Sequence, residues 1–348
     1  MGETGSFGTE QVVSARLTLS SDSLSFDPPS LGRKKTLLRY SGVCSLNGLA
    51  LQGMKDLGRR LDVTVKLRAP KYWLRVAVLM VSLASLFLIS QARARRTPEN
   101  SGLEITYLGN EGVMISAGKQ SVLIDALHGP YGEYVSLPRH ELQVMEEGKS
   151  PYNGPEVVLV THIHGDHFSS RTLGLHLEHN KSAVLVSSQQ VVNAIKRDFA
   201  GYNRIRAQIR EVTPAWKQRQ SLQENGVGIG VLGLRHGGEE ARAVQNLGFV
   251  AHLGSWTLLH VGDADATEEN HRNFHLEREG IDVAFLPFWY LLTAEGQRVV
   301  RTYIRPKHII AIHIPNASAS ELQKAFTDIK VAFPDSTIFS TLMQKKQF

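Results

Sequence analysis

The sequence predicts an α/β fold in which two β-sheets pack together and are each covered by helices, which makes a four-layer α/β sandwich. Short apolar runs of β-strand type alternate with helical stretches after Pro98. This alternation continues through two successive halves of the chain. The 348 residues, of which 42% are apolar and 21% charged, are enough to bury a large core.

The N-terminal part of the chain, residues 1–53, has no periodic pattern that defines a helix or a strand. It is rich in Gly, Ser and Leu and contains Pro28-Pro29. Residues 1–70 are therefore left unassigned, as a disordered or non-native leader. Translation beginning near Met54 is one alternative.

An uncharged apolar run of 15 residues, 76–90, follows this leader. Cations flank it on both sides: Lys71, Arg75, Arg95 and Arg96. Residues 71–96 are predicted to be a signal peptide or a membrane anchor. The protein is expected to be exported (periplasmic or secreted) or to be membrane-anchored through residues 72–90. Arg93 lies inside an A-x-A type cleavage site, and the leader before the apolar run is long for a signal peptide. Both features disfavour cleavage, so a membrane anchor is the alternative.

The net charge of +6 comes from the leader and not from the main domain. Residues 1–100 carry 15 Lys and Arg against 7 Asp and Glu, whereas the remaining residues carry 24 against 26. A nucleic-acid enzyme needs a positive track beside its site, so nucleic acid is not an expected partner. The single cysteine, Cys44, excludes an intramolecular disulfide.

Residues 97–348 are predicted to form one folded domain. In its first half, strands are predicted at 105–108, 113–116, 121–125, 157–160 and 183–187. Residues 127–156 form a polar and aromatic insertion of a length typical of functional loops or lids. Helices are predicted at 171–180 and 189–199. In the second half, strands are predicted at 227–234, 247–253, 256–261, 282–286 and 308–313.

The strongest motif directly follows the strand 157–160. Four side chains that bind metals lie within six residues: His162, His164, Asp166 and His167. Two imidazoles spaced by two residues beyond a strand project to the same side, so they can bind one metal ion. Asp166 and His167 follow the turn at Gly165 and point to a neighbouring position.

Two complete metal shells need further donors, and three candidates each close an apolar β-run. They are His236, Asp263 and His313. Strand ends are where a sheet presents its loops, so we expect these side chains to join the motif.

The sequence resembles the metallo-β-lactamase superfamily, with its H-x-H-x-D-H motif, a later His, a Gly-Asp pair and a final His in the same order. The resemblance implies an αββα sandwich with two divalent ions, zinc first, with manganese or iron as alternatives. It places one ion on His162, His164 and His236 and the other on Asp166, His167 and His313, with Asp263 bridging. The surrounding residues (NEGVMI, VLIDALH, HVGDAD, FLPFWYL) are similar to a lactonase-like group related to L-ascorbate-6-phosphate lactonase and N-acyl-phosphatidylethanolamine phospholipase D.

The implied reaction is hydrolysis of an ester, lactone or phosphodiester by a metal-bridging hydroxide, with Asp166 as the catalytic residue that orients it or takes its proton. Two divalent ions outweigh the two carboxylates among the implied ligands, so the site carries a net positive charge. This charge favours an anionic substrate, either a small molecule or a lipid-like molecule. The alternatives are a mononuclear iron oxidoreductase of the same fold, an N-acyl-phosphatidylethanolamine phospholipase D-like phosphodiesterase, and a metal-binding module without catalysis.

Several other residues have two interpretations. His260 is expected to be a packed histidine or to support a ligand, Asp265 to support a ligand, and His252, His271 and His275 to be structural or exposed. Residues 288–290 (Phe-Trp-Tyr) line the pocket or belong to the core. Three arginines bind an anionic substrate or form a solvated face: Arg204, Arg206 and Arg210. Three residues of the insertion are lid candidates: His128, Tyr131 and Tyr134.

Overall fold

The computed structural model describes residues 17–20, 23–26 and 102–348. Strands β1 (Leu17–Ser20) and β2 (Ser23–Phe26) pair antiparallel, in a region where the sequence predicted no element. The predicted segment 71–96 and the rest of the leader lie outside the described residues. Within the described part of the chain, no helix has the length and apolar content needed to span a bilayer.

Seven strands of the described region form the first sheet. Their spatial order is β16 (Lys345–Gln347), β3 (Leu103–Gly109), β4 (Gly112–Ala117), β5 (Gln120–Ile124), β6 (Val157–Val160), β7 (Val184–Ser187) and β8 (Ile209–Glu211). Pairing is antiparallel from β16 to β5 and parallel from β5 to β8. β6 is buried along its whole length, as expected for an apolar strand between two parallel neighbours.

A second sheet repeats this arrangement with seven more strands. Their spatial order is β9 (Arg219–Glu224), β10 (Val227–Arg235), β11 (Gln245–Leu253), β12 (Trp256–His260), β13 (Val283–Pro287), β14 (His308–Ile312) and β15 (Thr337–Ile338). Pairing is antiparallel from β9 to β12 and parallel from β12 to β15. The two sheets therefore have the same pattern of antiparallel and parallel pairing, although β16 at the edge of the first sheet comes from the C-terminal end of the described chain.

The helices cover the outer faces of the two sheets. Apolar side chains of α1 (Arg139–Glu146), α2 (Ser170–His179), α3 (Gln189–Asp198) and α4 (Tyr202–Ile205) share a core with the first sheet. The second sheet shares a core with residues of α6 (Phe288–Leu292), α7 (Ala294–Val299), a π-helical turn (Val300–Ile304) and α8 (Ala319–Ala332). The short helix α5 (Glu268–His271) follows β12. Serines cap three of these helices at their N-termini: Ser169, Ser188 and Ser318.

The core between the sheets contains alternate side chains of facing strands. In β6, Val157 and Leu159 point to the second sheet, while Val158 and Val160 point to the helices. The second sheet contributes Phe249 and Phe285 to the same inner layer. This period of two gives helix, sheet, sheet and helix layers, as the sequence predicted.

The insertion 127–156 was only partly predicted. Its second part contains α1, whose Leu142 and Met145 are buried, so the expectation of a loop throughout was wrong there. An apolar spacing of three residues favours burial of one helix face against the sheet. The first part, near Tyr131 and Tyr134, stays irregular apart from isolated bridges.

Candidate metal centre

The histidine motif lies at the carboxyl end of β6, between that strand and α2. The amide groups of His167 and Phe168 donate to the His164 carbonyl at 3.1 and 3.0 Å, which closes a tight turn. Ser169 then caps α2 by accepting from the Thr172 amide. A buried strand before the turn and a capped helix after it fix where the motif side chains point.

The first group of donors is His162, His164, His236 and Asp263. One ligand atom from each lies within 4.8 Å of the others. His162 Nε2 lies 3.0 Å from His164 Nδ1. Asp263 Oδ2 lies 3.8 Å from His162 Nε2 and 3.4 Å from His236 Nε2. The residues that follow β10 and β12 therefore lie next to the motif, as the sequence predicted.

The second group of donors is Asp166, His167 and His313, whose ligand atoms also lie within 4.8 Å of one another. Asp166 Oδ2 lies 3.4 Å from His167 Nε2 and 3.8 Å from His313 Nε2. Asp263 Oδ1 lies 3.3 Å from His167 Nε2 and 3.2 Å from His313 Nε2. Asp263 Oδ2 also lies 3.2 Å from His313 Nε2, so the carboxylate of Asp263 lies between the two groups. All seven predicted site residues come together.

The chemistry of the donors fits divalent metal ions. The seven residues offer only imidazole nitrogens and carboxylate oxygens. His236 Nε2 and Asp263 Oδ1 are buried and make no hydrogen bond to any described residue. A buried polar atom without a partner is costly, and a bound cation removes that cost.

A further layer of contacts orients these donors. Asp125 Oδ2 accepts from His167 Nδ1 at 2.9 Å and from the Thr161 hydroxyl at 2.5 Å, and its Oδ1 accepts from the Thr161 amide at 2.8 Å. The Thr161 hydroxyl in turn lies 3.0 Å from His162 Nδ1. Asn110 Nδ2 donates to Asp166 Oδ2 at 3.0 Å. These contacts engage the Nδ1 atoms of His162 and His167, so the Nε2 atoms of these two histidines are directed at the centre.

Asn110 and Asp125 were not predicted as site residues. Both adopt a left-handed backbone, with φ of 44° and 45°, and His313 does so with φ of 59°. Such a conformation is uncommon for residues other than glycine and is concentrated at functional sites. The only sequence signal was their position next to strand ends, which alone does not distinguish a ligand-orienting residue from an ordinary turn.

The histidines of the centre differ in the direction in which their pKa values are shifted. Burial, followed by the neighbouring His167, holds the pKa of His162 well below its ordinary value. Burial also acts on His167, but Asp263, Asp125 and Asp166 outweigh it and raise the pKa of His167 well above its ordinary value. Burial opposes ionisation of Asp263, yet the nearby His313 and His167 lower its pKa well below the usual range. Asp263 is thus ionised and His162 neutral, as metal binding requires, whereas His167 holds a proton that it must release to bind a metal ion.

The aromatic candidates divide between the site and the core. The Tyr134 ring packs edge-on against the His313 ring at 4.4 Å, and Trp289 does so at 5.0 Å. Tyr131 stacks on Tyr134 at 6.2 Å and is 41% exposed. Tyr290 instead belongs to the core, so residues 288–290 do not act as one unit. His128, at the start of the insertion, is buried, and its Nδ1 lies 2.8 Å from the Gly129 carbonyl.

The remaining candidates have structural contacts. His260 is buried and contacts the backbone of Glu111 and Gly262, as expected for a packed histidine. The Asp265 amide donates to the Arg235 carbonyl, and its side chain lines a separate cavity with Trp216 and Arg242.

His271 is buried, His252 is half-buried and His275 is exposed. Arg204 and Arg210 form ion pairs with Glu178 and Glu224, which agrees with a solvated face.

Two mixed sheets between helical layers, with a histidine and aspartate cluster at their strand ends, define the metallo-β-lactamase class of fold. The beta-lactamase superfamily domain matches residues 120–332 of this chain. The chain therefore belongs to this family, and the resemblance seen in the sequence is confirmed.

Individual relatives agree with this assignment. A UPF0173 metal-dependent hydrolase of Symbiobacterium thermophilum is 28% identical over 217 residues, which cover 61% of this chain and 84% of the relative. Two solved structures have a similar fold. The metallo-beta-lactamase fold protein YhfI of Bacillus subtilis has a TM-score of 0.50 at 13% identity, covering 71% of this chain and 100% of YhfI. A structure from Veillonella parvula, described as a possible metal-dependent hydrolase, has a TM-score of 0.52 at 16% identity, covering 70% of this chain and 99% of its own.

Proposed function

We propose that this protein is a hydrolase that uses two divalent metal ions, zinc first, to cleave an ester, lactone or phosphodiester bond. His162, His164 and His236 hold one ion, and Asp166, His167 and His313 hold the other. The observation that carries this proposal is the position of the Asp263 carboxylate between the two groups: Oδ2 lies 3.4 Å from His236 Nε2, and both oxygens lie 3.2 Å from His313 Nε2. A carboxylate shared in this way is suited to bridge two cations.

Bound metal ions supply an activated water at neutral pH and polarise the carbonyl or phosphoryl oxygen of the substrate. The chain's own residues handle the proton. Asp166 directs Oδ2 towards His167 and His313, and Asn110 holds this oxygen by donating to it at 3.0 Å. In this proposal the other oxygen, Oδ1, would take up the proton of the attacking water.

The substrate class follows from charge and from the site walls. Two divalent ions outweigh the Asp166 and Asp263 carboxylates, so the centre attracts an anionic or strongly polarised group. Tyr134 and Trp289, which pack on His313, offer an apolar wall for the rest of the molecule. We therefore expect a small-molecule or lipid-like substrate and no nucleic acid.

The test is a panel of lactones, phosphodiesters, phospholipids and other esters with the metal-loaded full-length protein. Turnover of at least one class, with two zinc or manganese ions per chain, supports the proposal. His162→Ala combined with His164→Ala should lose both metal and turnover, and two retained equivalents would refute the assignment of these ligands. One iron per chain with oxygen uptake would favour the oxidoreductase alternative instead.

We also propose that residues 71–96 export the protein or anchor it to a membrane. This rests on the apolar run 76–90 and its flanking cations. A fusion of residues 54–100 to a reporter that is active only outside the cytoplasm should give signal. A silent fusion would remove this proposal without affecting the hydrolase assignment.

A further inference from the structure

An apolar groove lies between α6 and α8, in the helical layer that covers the second sheet. It encloses about 180 Å³. The apolar side chains that line it include those of Phe288, Leu292, Ile314, Leu322, Ala325 and Phe326.

The apolar side of α8 forms one wall of this groove. Its members have the i, i+3, i+4, i+7 spacing that places side chains on one helix face: Leu322, Ala325, Phe326 and Ile329. Ile329 is buried, whereas the other three are half-buried. Because such a face is normally covered, the N-terminal part of α8 has an apolar side that the described residues leave partly open.

The charge in the groove is already bound. Glu321 is the one charged residue that lines it in the described part of the chain. Its Oε2 accepts from the Ser318 amide at 3.0 Å and from the Ser318 hydroxyl at 2.6 Å, in the capping box of α8. This carboxylate holds the helix end, so the groove suits an uncharged apolar ligand.

The groove adjoins the candidate metal centre. Ile314, which lines the groove, directly follows His313. The Phe288 ring lies edge-on to Trp289 at 5.4 Å between centroids, and Trp289 lies edge-on to His313 at 5.0 Å. The Trp289 indole also donates to the Ala264 carbonyl at 3.1 Å, next to the aspartate between the two donor groups. A molecule whose polar end lies at the metal ions can therefore extend along these rings into the groove.

The size of the groove favours a single chain of the substrate over a protein partner. At ~30 Å³ per group, which is the share of one water molecule in the liquid, 180 Å³ holds a chain of about six carbon atoms. A stable protein interface takes about 20–30 residues from each partner, whereas ten residues line the groove. We propose that this groove binds an unbranched apolar chain of the substrate, attached to the ester, lactone or phosphodiester group at the metal centre. This inference rests on the proposed hydrolase function.

The test measures binding of n-alkylphosphonates, from methyl to decyl, to the zinc-loaded full-length protein by calorimetric titration. A phosphonate binds metal ions through its oxygens and is not hydrolysed, so the measurement does not depend on turnover. Burial of each CH₂ group contributes about 0.8 kcal/mol, so the affinity should rise about fourfold per added carbon. This gain should level off once the groove is full.

Ala325→Trp fills the groove from α8, since Ala325 is half-buried and lines it. Octylphosphonate should bind this variant at least about 10-fold more weakly than the wild type, because several CH₂ groups lose their burial, while methylphosphonate should bind equally. Val331→Trp is the matched control. Val331 is in the same helix, is 78% exposed and is not among the residues that line the groove, so this variant should keep wild-type affinity for both. If Ala325→Trp does not fold, Leu322→Asn replaces it and should reduce the gain per carbon.

Equal affinity of the wild type for methyl- and octylphosphonate would overturn the inference and leave the metal centre intact. A wild-type dimer that Ala325→Trp dissociates in sedimentation would then assign the groove to a second copy of the chain. An unchanged gain per carbon in Ala325→Trp, or an equal loss in Val331→Trp, would also overturn the inference. If no phosphonate binds, the two-metal centre fails with it. Absence of turnover on every substrate, with the chain-length dependence intact, would support the groove and count against the hydrolase proposal alone.

Discussion

Asp125 has no place among the proposed metal ligands, yet it contacts two parts of the motif. Its carboxylate accepts from His167 Nδ1 at 2.9 Å and from the Thr161 hydroxyl at 2.5 Å, and that hydroxyl lies 3.0 Å from His162 Nδ1. One buried carboxylate thus fixes the ring orientation of a histidine from each donor group. Such a contact also sets which ring nitrogen carries the proton and raises the basicity of the ligand.

We predict that Asp125→Asn weakens metal binding by about 10- to 100-fold, because the amide cannot accept from both donors as the carboxylate does. Zinc titration against a competing chelator measures this. Asp282→Asn is the control, since Asp282 accepts from the Thr257 amide and Lys307 in another part of the second sheet. Equal affinity in the two variants would show that Asp125 does not support the centre.

At the level of elements, the turn after β12 delivers Asp263 to the centre. Gly262 has φ of +56°, and a Cβ atom there would lie 2.6 Å from Asn246 Oδ1 and 2.7 Å from Thr161 Cβ. The Asn246 side chain also accepts from the Asp263 amide at 3.1 Å. The turn is therefore held against both the motif and β11, and it leaves no room for a side chain.

Gly262→Ala is predicted to destabilise the protein by about 1–3 kcal/mol and to weaken metal binding, because the clash displaces Asp263. Gly280→Ala separates the steric clash of a new Cβ atom from the backbone cost of a side chain at positive φ. Gly280 has a similar φ of +68°, but a Cβ atom there would meet no other atom within 4 Å, so only the backbone cost applies. Urea unfolding measures stability, and equal losses in both variants would contradict a steric role of Gly262.

A buried histidine connects α5 to α6 on the second sheet. His271 Nδ1 lies 2.9 Å from the Thr267 carbonyl, and its Nε2 lies 3.0 Å from the Tyr290 hydroxyl. Burial lowers the pKa of His271 to about 4. The unfolded chain takes up a proton below about pH 6.5 while the folded protein does not, so stability is lost as the pH falls from 6.5 towards 4.

We predict that His271→Gln reduces this pH dependence. Between pH 7.5 and pH 5, the variant should lose about 2 kcal/mol less unfolding free energy than the wild type. His275→Gln, at an exposed position nearby, should follow the wild type. Urea titrations at both pH values, with constant metal, make the comparison. Parallel pH profiles for wild type and His271→Gln would contradict the assignment.

Across the whole molecule, the sequence predicted the strongly apolar strands and the site residues that form one contiguous motif or directly follow such a strand. The motif 161–167 and the donors His236, Asp263 and His313 each follow an apolar strand, so their meeting was predictable. Edge strands were missed because they lack this signal. β9 (RQSLQE) has no apolar alternation, and β16 has only three residues.

Residues that act through tertiary contacts were also missed. The β3–β4 turn brings Asn110 and Glu111 next to Asp166 and His167, which are more than 50 positions away along the chain. α8 was missed because most of its surface is exposed, and Ile329 is its one buried residue. Such contacts depend on the tertiary fold, so no local sequence pattern predicts them.

The central claim is that two donor groups, joined by Asp263, hold two metal ions. Anomalous diffraction from crystals of the zinc-loaded protein tests this most directly. We expect two peaks, one among His162, His164 and His236 and one among Asp166, His167 and His313, each about 2 Å from an oxygen of Asp263. A single peak, or a second peak away from Asp166, would contradict the account.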